Sequence, residues 1–346
     1  MKKVVVAISG GLDSAMAAYL LQRQKYQITG VFMRLGEFSR ASEMAARAVC
    51  NFLNIKFYPI NFSSIFQKKV IDYFLNTYQN GLTPNPCVVC NQFIKFGALW
   101  EFSKNIKAQY LASGHYLKIK KKQNKFSLHR ARDAQKDQSY FLYNLDQDRL
   151  ARLLFPLGDY LKSDIRTQAL KLKIPFITKE SQDICFISGD HNDLLKEKLK
   201  LRSGDIVLSH ENGKQEKIGE HAGLPLYTLG QRKGIEIGGA GPFYVLDKDY
   251  QKNILYVSSL AQDARLYKSE IEMRDIHWIS GELPSLPLRV QAKMRCGQKD
   301  FDCVVLAGEE EKYKIKFNEA QRAVTRGQSM VFYDWESGEV LGGGVI

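Results

Sequence analysis

A short apolar run that leads directly into a glycine-rich turn is the feature that most constrains the fold of this chain. Residues 4–8 read Val-Val-Val-Ala-Ile, and the next six residues read Ser-Gly-Gly-Leu-Asp-Ser. Glycines let backbone N–H groups approach phosphate oxygens, and the N-terminus of a following helix adds a positive dipole end. The string is neither G-x-x-x-x-G-K-S/T nor G-x-G-x-x-G. It predicts a strand, a phosphate-binding turn and a helix, with hydroxyl donors at Ser9 and Ser14 and Mg²⁺ held by Asp13.

Strand-like and helix-like segments alternate through the first half of the chain, which is typical of a parallel sheet covered by helices. The β-branched runs predict strands at 3–8, 28–33, 56–60 and 110–113. Apolar residues at helical spacing predict helices at 14–24, 42–53, 65–78, 93–105, 146–154 and 163–172. We expect a proline-containing loop before residue 93 and a solvated basic hairpin over 118–130.

The composition and pattern of the sequence change near residue 200, where glycines become frequent and short β-rich runs replace helices. Such runs are typical of small β-barrels or sandwiches. They lie at 205–208, 243–247, 254–258, 288–294, 302–306, 312–317, 329–333 and 339–342. A chain of 346 residues is long enough for two or three domains. We therefore expect an α/β domain over 1–198, a central β-rich domain over 199–265 and a C-terminal β-barrel over 266–346.

The balance of charges points to a polyanionic partner. The chain carries 50 Lys and Arg residues against 37 Asp and Glu, a formal net charge of +13. Such an excess favours nucleic acid through counterion release, and a solvated basic surface is the other interpretation. No apolar run approaches the roughly 18 residues of a membrane span, and the run at 4–8 is too short for a secretory signal. The sequence therefore predicts a cytoplasmic chain with no membrane partner.

Three of the six cysteines lie in unusual surroundings. Cys87 and Cys90 follow the string Thr-Pro-Asn-Pro, and Cys185 lies in Ser-Gln-Asp-Ile-Cys-Phe. A zinc site is disfavoured because no second Cys or His pair has the matching spacing. Two interpretations stay open: the three thiols ligate an iron–sulfur cluster, or Cys90 and Cys185 form a redox pair that carries and releases sulfur. Cys50 and Cys303 are expected to be packing residues.

The string at 9–14 resembles the PP-loop of the ATP pyrophosphatase superfamily. That resemblance implies cleavage of ATP between its α and β phosphates on a Rossmann-like sheet, the adenine nucleotide alpha hydrolase-like fold. An ordered set of further strings resembles the tRNA-specific 2-thiouridylases, the MnmA family, over essentially the whole chain. These strings are 83–96, 113–116, 136–142, 155–158, 180–187, 219–221, 227–234, 327–328 and 341–344.

The resemblance implies 2-thiolation of the wobble uridine in the tRNAs for Lys, Glu and Gln. ATP and Mg²⁺ would be the cofactors, and AMP and pyrophosphate would be released. Cys185 would carry the incoming sulfur as a persulfide, and Cys90 would release that sulfur or resolve it as a disulfide. A cysteine desulfurase or a sulfur-relay protein is implied as the sulfur donor. We expect the two thiols to approach each other through movement of 178–188.

The resemblance also implies binding residues, position by position, and no metal ligands. The implied ATP contacts are Ala7, Ile8, Ser9, Gly10, Gly11, Leu12, Asp13, Ser14, Met33 and Gly114. The implied contacts with the tRNA or its target base are Asn85, Pro86, Cys87, His115, Lys136, Asp137, Gln138, Arg295, Cys296 and Gln328. The base must leave its anticodon stack to reach the thiols, as other base-modifying enzymes require.

Departures from the family pattern keep alternatives open. Cys87 stands where some relatives carry an Asp that is a candidate general base, Ala45 replaces an acidic residue, and Cys296 replaces a Tyr. Cys87 would supply the third ligand in an iron–sulfur-dependent tRNA thiolase. A PP-loop ligase acting on a small molecule would share the loop but need no cysteine pair. An RNA-binding protein without catalysis would not need Asp13.

Overall fold

A five-stranded parallel sheet forms the centre of the N-terminal half in the computed structural model, which describes residues 1–36, 40–178, 184–187, 189–235, 237, 241–309 and 312–346. Val4, Val5 and Val6 are at most 1 % exposed, as expected of the middle strand of a sheet covered on both faces. From one edge to the other, the strands are Lys56–Asn61, Gln27–Arg34, Lys3–Ala7, Tyr110–Ala112 and Leu153–Leu154. The predicted parallel α/β sheet is confirmed.

Helices cover both faces of this sheet. Val4 and Val6 pack with Ala17 into one apolar cluster, whereas Val5 packs with Leu99 into another. The helices are Leu12–Arg23, Arg40–Phe52, Ser63–Phe66, Asp72–Gln79, Pro86–Cys90, Leu99–Asn105, Gln147–Leu150, Lys162–Lys171 and His191–Lys198, with π-helical segments at Gln67–Ile71 and Asn91–Ala98 and short 3-10 helices at Ser139–Phe141, Leu224–Leu226 and Ala264–Leu266. Within the ranges given above, no helix is long and apolar enough to cross a bilayer.

The predicted helix over 146–154 is wrong beyond residue 150. Asp146 caps a single turn, Gln147–Leu150, by accepting a hydrogen bond from the Arg149 amide at 2.8 Å. Leu153–Leu154 then runs parallel to residues 111–112 as the edge strand of the sheet. Leu153 is 3 % exposed, and packing of its side chain on the sheet overrides its helical propensity.

The predicted loop before residue 93 is wrong at its end, because a helix begins at Pro86 and continues through the π-helical segment to Asn105. Proline is well suited to the first turn of a helix, where its missing N–H removes no hydrogen bond. Cys87 and Cys90 therefore lie on a helix, three residues apart and on one side of it. We call Pro86–Cys90 and its continuation to Asn105 the cysteine helix.

Two further sheets form the second half of the described chain. In spatial order, the smaller sheet contains Tyr244–Asp249, Ile254–Ser258, Gly204–Ser209 and Gln215–His221. The larger sheet contains Tyr267–Met273, Tyr313–Arg322, Phe301–Ala307, Leu288–Lys293, Ser329–Tyr333, Glu339–Val345, Lys125–His129 and Lys118–Lys122, with His277–Trp278 beside Glu339–Val345. Sequence analysis missed Gln215–His221 and Tyr267–Met273 because their mostly exposed, polar residues form no apolar run.

The predicted basic hairpin is confirmed, but it is part of the larger sheet. Leu128 pairs with Val340 and His129 pairs with Glu339, so residues from the first half extend a sheet built from the last third. The next residue, Arg130, donates two hydrogen bonds to the Asp300 carboxylate at 2.7 and 3.0 Å. These contacts fix the N-terminal half against the last sheet.

We expect Arg130→Gln to loosen this contact, because it removes the bidentate partner of the half-buried Asp300 carboxylate. The free energy of unfolding should fall by about 1.5–3 kcal/mol, the usual range for a hydrogen bond to a charged group. Lys125→Gln is the matched control, since the Lys125–Glu282 pair is exposed and should contribute less than about 1 kcal/mol. Urea unfolding of both variants measures the difference, and equal losses would contradict the assignment.

Candidate active site

The turn after the middle strand, residues 9–14, is tightly packed; we call it the phosphate loop. Gly10 has a φ of +85°, and a Cβ there would lie 2.8 Å from the Ser42 carbonyl oxygen. The Ser14 hydroxyl accepts a hydrogen bond from the Ser9 amide at 3.1 Å and donates to the Gly11 carbonyl oxygen at 3.0 Å. The loop thus ends in the first turn of Leu12–Arg23, which gives it the positive dipole end of a helix.

Two further predicted nucleotide contacts lie beside the phosphate loop. A Cβ on Gly114 would lie 2.6 Å from the Asp13 carbonyl carbon and 2.8 Å from the Ser14 nitrogen, so the backbone at 114 runs directly against the loop. Met33 lies near the end of the neighbouring strand, where it packs against the sheet core and the cluster around Cys90. The predicted ATP residues therefore meet at the carboxyl edge of the sheet, where open α/β sheets bind ligands.

Lys162 is a charged residue at the loop that sequence analysis missed. Its Nζ lies 2.9 Å from Asp13 Oδ2, and the Tyr116 hydroxyl donates to Asp13 Oδ1 at 2.9 Å. The Lys162 side chain is 14 % exposed and that of Asp13 32 % exposed. The carboxylate predicted to hold Mg²⁺ is therefore already bound by two side chains. No local motif marks Lys162, because it reaches the loop from a helix 149 residues away in the chain.

Cys90 lies in a small apolar cluster with Phe66, Val70 and Ile94, and it is 6 % exposed. Burial raises the pKa of its thiol to about 12, and the charge of Lys95 offsets part of that rise. A thiol with so high a pKa is protonated at neutral pH. Cys90 is therefore a protonated thiol in this conformation.

Cys185 is exposed, whereas the next residue, Phe186, is anchored in the cluster around Cys90. The Phe186 ring meets the rings of Phe66 and Phe74 edge to face at 5.5 and 5.7 Å. Cys185 is near enough that a thiolate there would raise the pKa of Cys90 further. The predicted catalytic thiols are thus neighbours, one buried and one open. The segment for which we predict movement, 178–188, lies partly outside the described residues, which omit 179–183 and 188.

None of the six cysteines, all of which lie in the described part of the chain, is in a disulfide bond. In the part of the chain that the structure describes, no group of three or more His, Cys, Asp or Glu side chains is placed to hold a metal ion. Cys87, Cys90 and Cys185 therefore form no ready ligand set in this conformation. Cys50 and Cys303 are 0 % and 2 % exposed, which agrees with their predicted packing role.

His115 is buried beside a cation. Its Nδ1 lies 2.6 Å from the Ser113 hydroxyl oxygen, and its Nε2 lies 3.3 Å from Lys95 Nζ. Because an ammonium group can donate but not accept, Nε2 is the acceptor and Nδ1 carries the proton. Burial, followed by the charge of Lys95, lowers the pKa of His115 well below its usual range. The predicted tRNA residue is thus a neutral imidazole that holds Lys95.

The segment before the cysteine helix is held by a turn of the C-terminal sheet. The Thr83 amide donates to the Arg326 carbonyl oxygen at 2.9 Å, and the Gln328 side chain donates to the Pro84 carbonyl oxygen at 3.2 Å. Gly327 has a φ of +92°, and a Cβ there would lie 2.8 Å from the Thr83 carbonyl oxygen. We call residues 83–85 and 326–328 the junction. The side-chain amide of Gln328, a predicted tRNA residue, is therefore engaged in this contact within the protein.

The residues predicted to border the target base follow directly in the chain. Asn85 and Pro86 are buried, and Cys87 is half-buried. The Asn85 side chain bonds the Tyr140 hydroxyl, which also lies 2.8 Å from the Ser329 carbonyl oxygen. The loop between the strands Gln215–His221 and Tyr244–Asp249 contributes as well, since Thr228 Oγ1 lies 3.5 Å from Thr83 Oγ1. Contacts from the C-terminal sheet and from a loop of the smaller sheet thus converge just before the two cysteines.

The predicted tRNA residues 136–138 differ from one another in burial and hydrogen bonding. Asp137 accepts hydrogen bonds from the Ala131 amide at 2.9 Å and the Ser139 hydroxyl at 2.7 Å. Gln138 accepts one from the Tyr116 amide at 3.0 Å. Lys136 is exposed. Asp137 and Gln138 therefore fix the shape of their own loop, and Lys136 presents a charge at the surface.

Two clefts accompany the site. One, of about 330 Å³, is lined by Arg295, Cys296 and Gln328 together with Arg322 and Thr325. The other, of about 450 Å³, lies against the cysteine helix; its lining includes Lys68, Lys69, Asn85, Val88, Val89 and Phe93. Of the predicted tRNA residues, Asn85 lines the cleft beside the cysteine helix, and Arg295, Cys296 and Gln328 line the other. The junction, which contains Asn85 and Gln328, therefore borders both clefts.

Family profiles cover nearly the whole chain. Residues 2–189 match the tRNA methyl transferase HUP domain, residues 192–259 the tRNA methyl transferase PRC-barrel domain, and residues 268–346 the aminomethyltransferase beta-barrel domain. The fold class is therefore an N-terminal PP-loop α/β domain, then a PRC-barrel-like middle domain and a C-terminal barrel, as predicted.

Over its full length the chain is similar to proteins named tRNA-specific 2-thiouridylase. The chain is 40% identical over 361 residues to tRNA-specific 2-thiouridylase MnmA 2 of Clostridium tetani, covering 100% of this chain and 98% of that protein. It is 40% identical over 358 residues to tRNA-specific 2-thiouridylase MnmA of Coxiella burnetii, covering 99% and 97%. A solved structure of the U34-tRNA thiolase NcsA from Methanococcus maripaludis with its 4Fe-4S cluster is 17% identical with a TM-score of 0.37, covering 57% of this chain and 65% of that one.

We expect Gly114→Ala to disturb the phosphate loop, because its Cβ would meet backbone atoms that cannot move independently of the helix. The free energy of unfolding should fall by about 1–3 kcal/mol. Gly11→Ala is the matched control within the loop, since its Cβ would meet the Ser9 hydroxyl at an ordinary 3.6 Å. Thermal unfolding of both variants tests this, and an equal effect would show that the close approach at 114 is not the cause.

Alkylation should separate the thiols by exposure. We expect iodoacetamide at pH 7.5 to modify Cys185 first and Cys296 more slowly, because burial raises the pKa of the Cys296 thiol. Cys50, Cys90 and Cys303 should stay unmodified until the chain unfolds or the pH approaches 12. Peptide mass spectrometry over time measures each rate, with urea-unfolded protein as the control. Rapid modification of Cys90 in folded protein would contradict its burial.

Proposed function

Because the chain belongs to the tRNA-specific 2-thiouridylase family, MnmA, we propose that it transfers sulfur to tRNA and forms 2-thiouridine at the wobble position of the tRNAs for Lys, Glu and Gln. One observation carries the proposal: the phosphate loop and the Cys90 cluster with Phe186 lie at the carboxyl edge of one parallel sheet. ATP at the loop and a base beside Cys90 would therefore share one site.

The reaction needs both parts of that site. The C2 oxygen of uracil is a poor leaving group until it attacks the α-phosphorus of ATP, which breaks the bond to the β-phosphate oxygen and expels pyrophosphate. A sulfur nucleophile then attacks C2, and AMP leaves with the original oxygen. Residues 7–14, Met33 and Gly114 would hold the nucleotide for the first step, with backbone N–H groups and the helix N-terminus on its phosphates.

Cys185 would receive the sulfur, since its exposed side chain is accessible to a cysteine desulfurase or a sulfur-relay protein. The terminal sulfur of its persulfide attacks C2, which joins Cys185 to the base through a disulfide. Cys90 then attacks the Cys185 sulfur, the thiolated base leaves, and a Cys90–Cys185 disulfide remains for a dithiol to reduce. If Cys90 attacks the persulfide first, hydrogen sulfide is released to attack C2, and the same disulfide results.

The protonated state of the Cys90 thiol would set the order of the sulfur-transfer steps. A thiol with a pKa near 12 is a poor nucleophile, so Cys90 would not consume the persulfide before the base arrives. Lys95 is the nearby charge that favours its thiolate. Displacement of Phe186 from the cluster would admit water and lower the pKa of Cys90, because burial is the main cause of the rise.

The tRNA would bind along the two clefts. Lys68 and Lys69 line the cleft beside the cysteine helix, and the Phe93 ring, 36 % exposed, lies 5.0 Å from Lys69 Nζ. Lysines bind backbone phosphates and an exposed ring can stack on an unpaired base. Asn85, Pro86 and Cys87 would border the target base.

The remaining predicted tRNA residues would orient the molecule. Residues 1–198 would carry the chemistry, and residues 199–265 and 266–346 would position the tRNA, as phosphate contacts do without reading sequence. Lys136 and Arg295 would bind backbone. Asp137, Gln138, His115 and Gln328 would act by fixing the loops and the cysteine helix, and Cys296 would line the cleft.

Magnesium fits the loop as a companion of ATP. Mg²⁺ is usually held by one or two carboxylates together with substrate phosphates, and Asp13 offers a carboxylate beside the phosphate loop. The ion would offset the charge of the phosphates when ATP binds.

Thiolation of an unmodified transcript tests the proposal. Protein, tRNA for Lys, ATP, Mg²⁺ and a persulfide donor are combined, and thiouridine in digested tRNA is quantified by mass spectrometry. We expect product with wild type, a loss of at least about 100-fold in Cys185→Ser and Cys90→Ser, and retained activity in Cys303→Ser, the buried cysteine outside the site. Pyrophosphate release should depend on tRNA.

The rival functions give different results in the same assay. Activity that requires bound iron and is lost in Cys87→Ser as well as in the other two variants would favour the iron–sulfur thiolase. Pyrophosphate release without tRNA, and no thiouridine, would favour a small-molecule ligase. Function that survives Asp13→Ala would favour an RNA-binding protein without catalysis.

A further inference from the structure

The ion pair between Lys162 and Asp13 is poorly explained as a device for stability. The pair is only partly withdrawn from water, so solvent screens its attraction while the buried part of each group still loses hydration, and the net gain in stability is small. The helix Lys162–Lys171 already packs against Leu12–Arg23 through Ile165 and Ala169 in the core cluster. A charge pair at the end of this contact adds little to holding the helices together.

The position of the Lys162–Asp13 pair gives a functional reason for its presence. Asp13 is the second residue of the helix whose N-terminus would receive the phosphates of ATP, where a carboxylate opposes an anionic ligand. Lys162 Nζ, 2.9 Å from that carboxylate, offsets the repulsion. The pair thus keeps a cation beside the loop before any nucleotide binds.

The ammonium group of Lys162 can move while the helix that carries it stays in place. The Lys162 amide donates to the Asp133 carboxylate at 2.9 Å, so the backbone at the helix start is fixed. Four side-chain bonds can still rotate, which allows the ammonium group to shift by a few ångströms. Tyr116, 2 % exposed, holds the other oxygen of Asp13 and would keep it in place when Lys162 leaves.

We propose that Lys162 binds the pyrophosphate part of ATP: its ammonium is held by Asp13 in the empty site and moves to the β- and γ-phosphate oxygens when the nucleotide binds. When the α-phosphorus bonds to the uracil oxygen, the electron pair of the broken bond leaves on the β-phosphate. Lys162 keeps its protons and offsets that charge. The inference rests on the proposed function in one respect, that the loop binds ATP.

Nucleotide binding separates this role from a structural one. Isothermal titration with ATP, pyrophosphate and AMP is carried out on full-length wild type, Lys162→Met, Lys162→Arg and Lys171→Met. Lys171→Met removes an exposed charge from the last turn of the same helix. We expect Lys162→Met to bind ATP and pyrophosphate about 10- to 100-fold more weakly and AMP within about twofold of wild type. Lys162→Arg should recover most of the loss, and Lys171→Met should match wild type.

Other outcomes overturn the inference. Equal weakening of ATP and AMP would make Lys162 a structural residue of the loop, and unchanged ATP affinity would show that its charge does not reach the phosphates. If Lys162→Met does not fold, Lys162→Gln, which keeps a donor for Asp13 but no charge, is titrated in its place. A wild type that binds ATP but forms no thiouridine would overturn the thiolation and leave this inference standing.

Discussion

The hydrogen bond from the Thr83 amide to the Arg326 carbonyl oxygen fixes the segment that leads into the cysteine helix. Pro84 and Pro86 restrict the residues before them to extended conformations, so the approach to the cysteine helix has few alternatives. The junction selects one of these, and the helix then carries Cys87, Cys90 and Lys95 in fixed relation to one another. A strain at 326–328, on a sheet that holds no reactive group in the proposed mechanism, would reach the thiols through this bond.

The site keeps each reactive group beside a partner that restrains it. Burial keeps the Cys90 thiol protonated, and the neutral ring of His115 holds the ammonium group of Lys95 at 3.3 Å. Asp13 holds Lys162 in the same way at the phosphate loop. In the proposed mechanism, reactivity would therefore depend on small displacements rather than on assembly of the site, and displacement of Phe186 would open the Cys90 cluster to water.

Local sequence patterns predicted the elements that depend on residues next to one another in the chain. Elements and contacts that depend on packing between distant segments could not be predicted in this way. The apolar run at 4–8 and the glycines after it predicted the strand, the phosphate loop and the helix, because these follow from residues next to one another. Lys162 could not be predicted, since it reaches Asp13 from a different helix without any motif. Leu153 was predicted in a helix because its partner at 111 is supplied by a distant strand. Pro86 lies in the first turn of a helix. Sequence analysis placed it in a loop because proline was taken there as a loop residue.

The pairing of the basic hairpin with Glu339 and Val340 limits how this protein could have been assembled in evolution. The last domain is not a detachable module, because removal of residues 1–198 would uncover the backbone hydrogen-bonding groups at the start of Glu339–Val345, where Glu339 and Val340 pair with the hairpin. An uncovered strand edge is a template for unwanted self-association. Exchange of this barrel with another lineage would therefore have to carry a hairpin from more than 200 residues upstream, so that the catalytic and barrel portions are expected to be inherited as one unit.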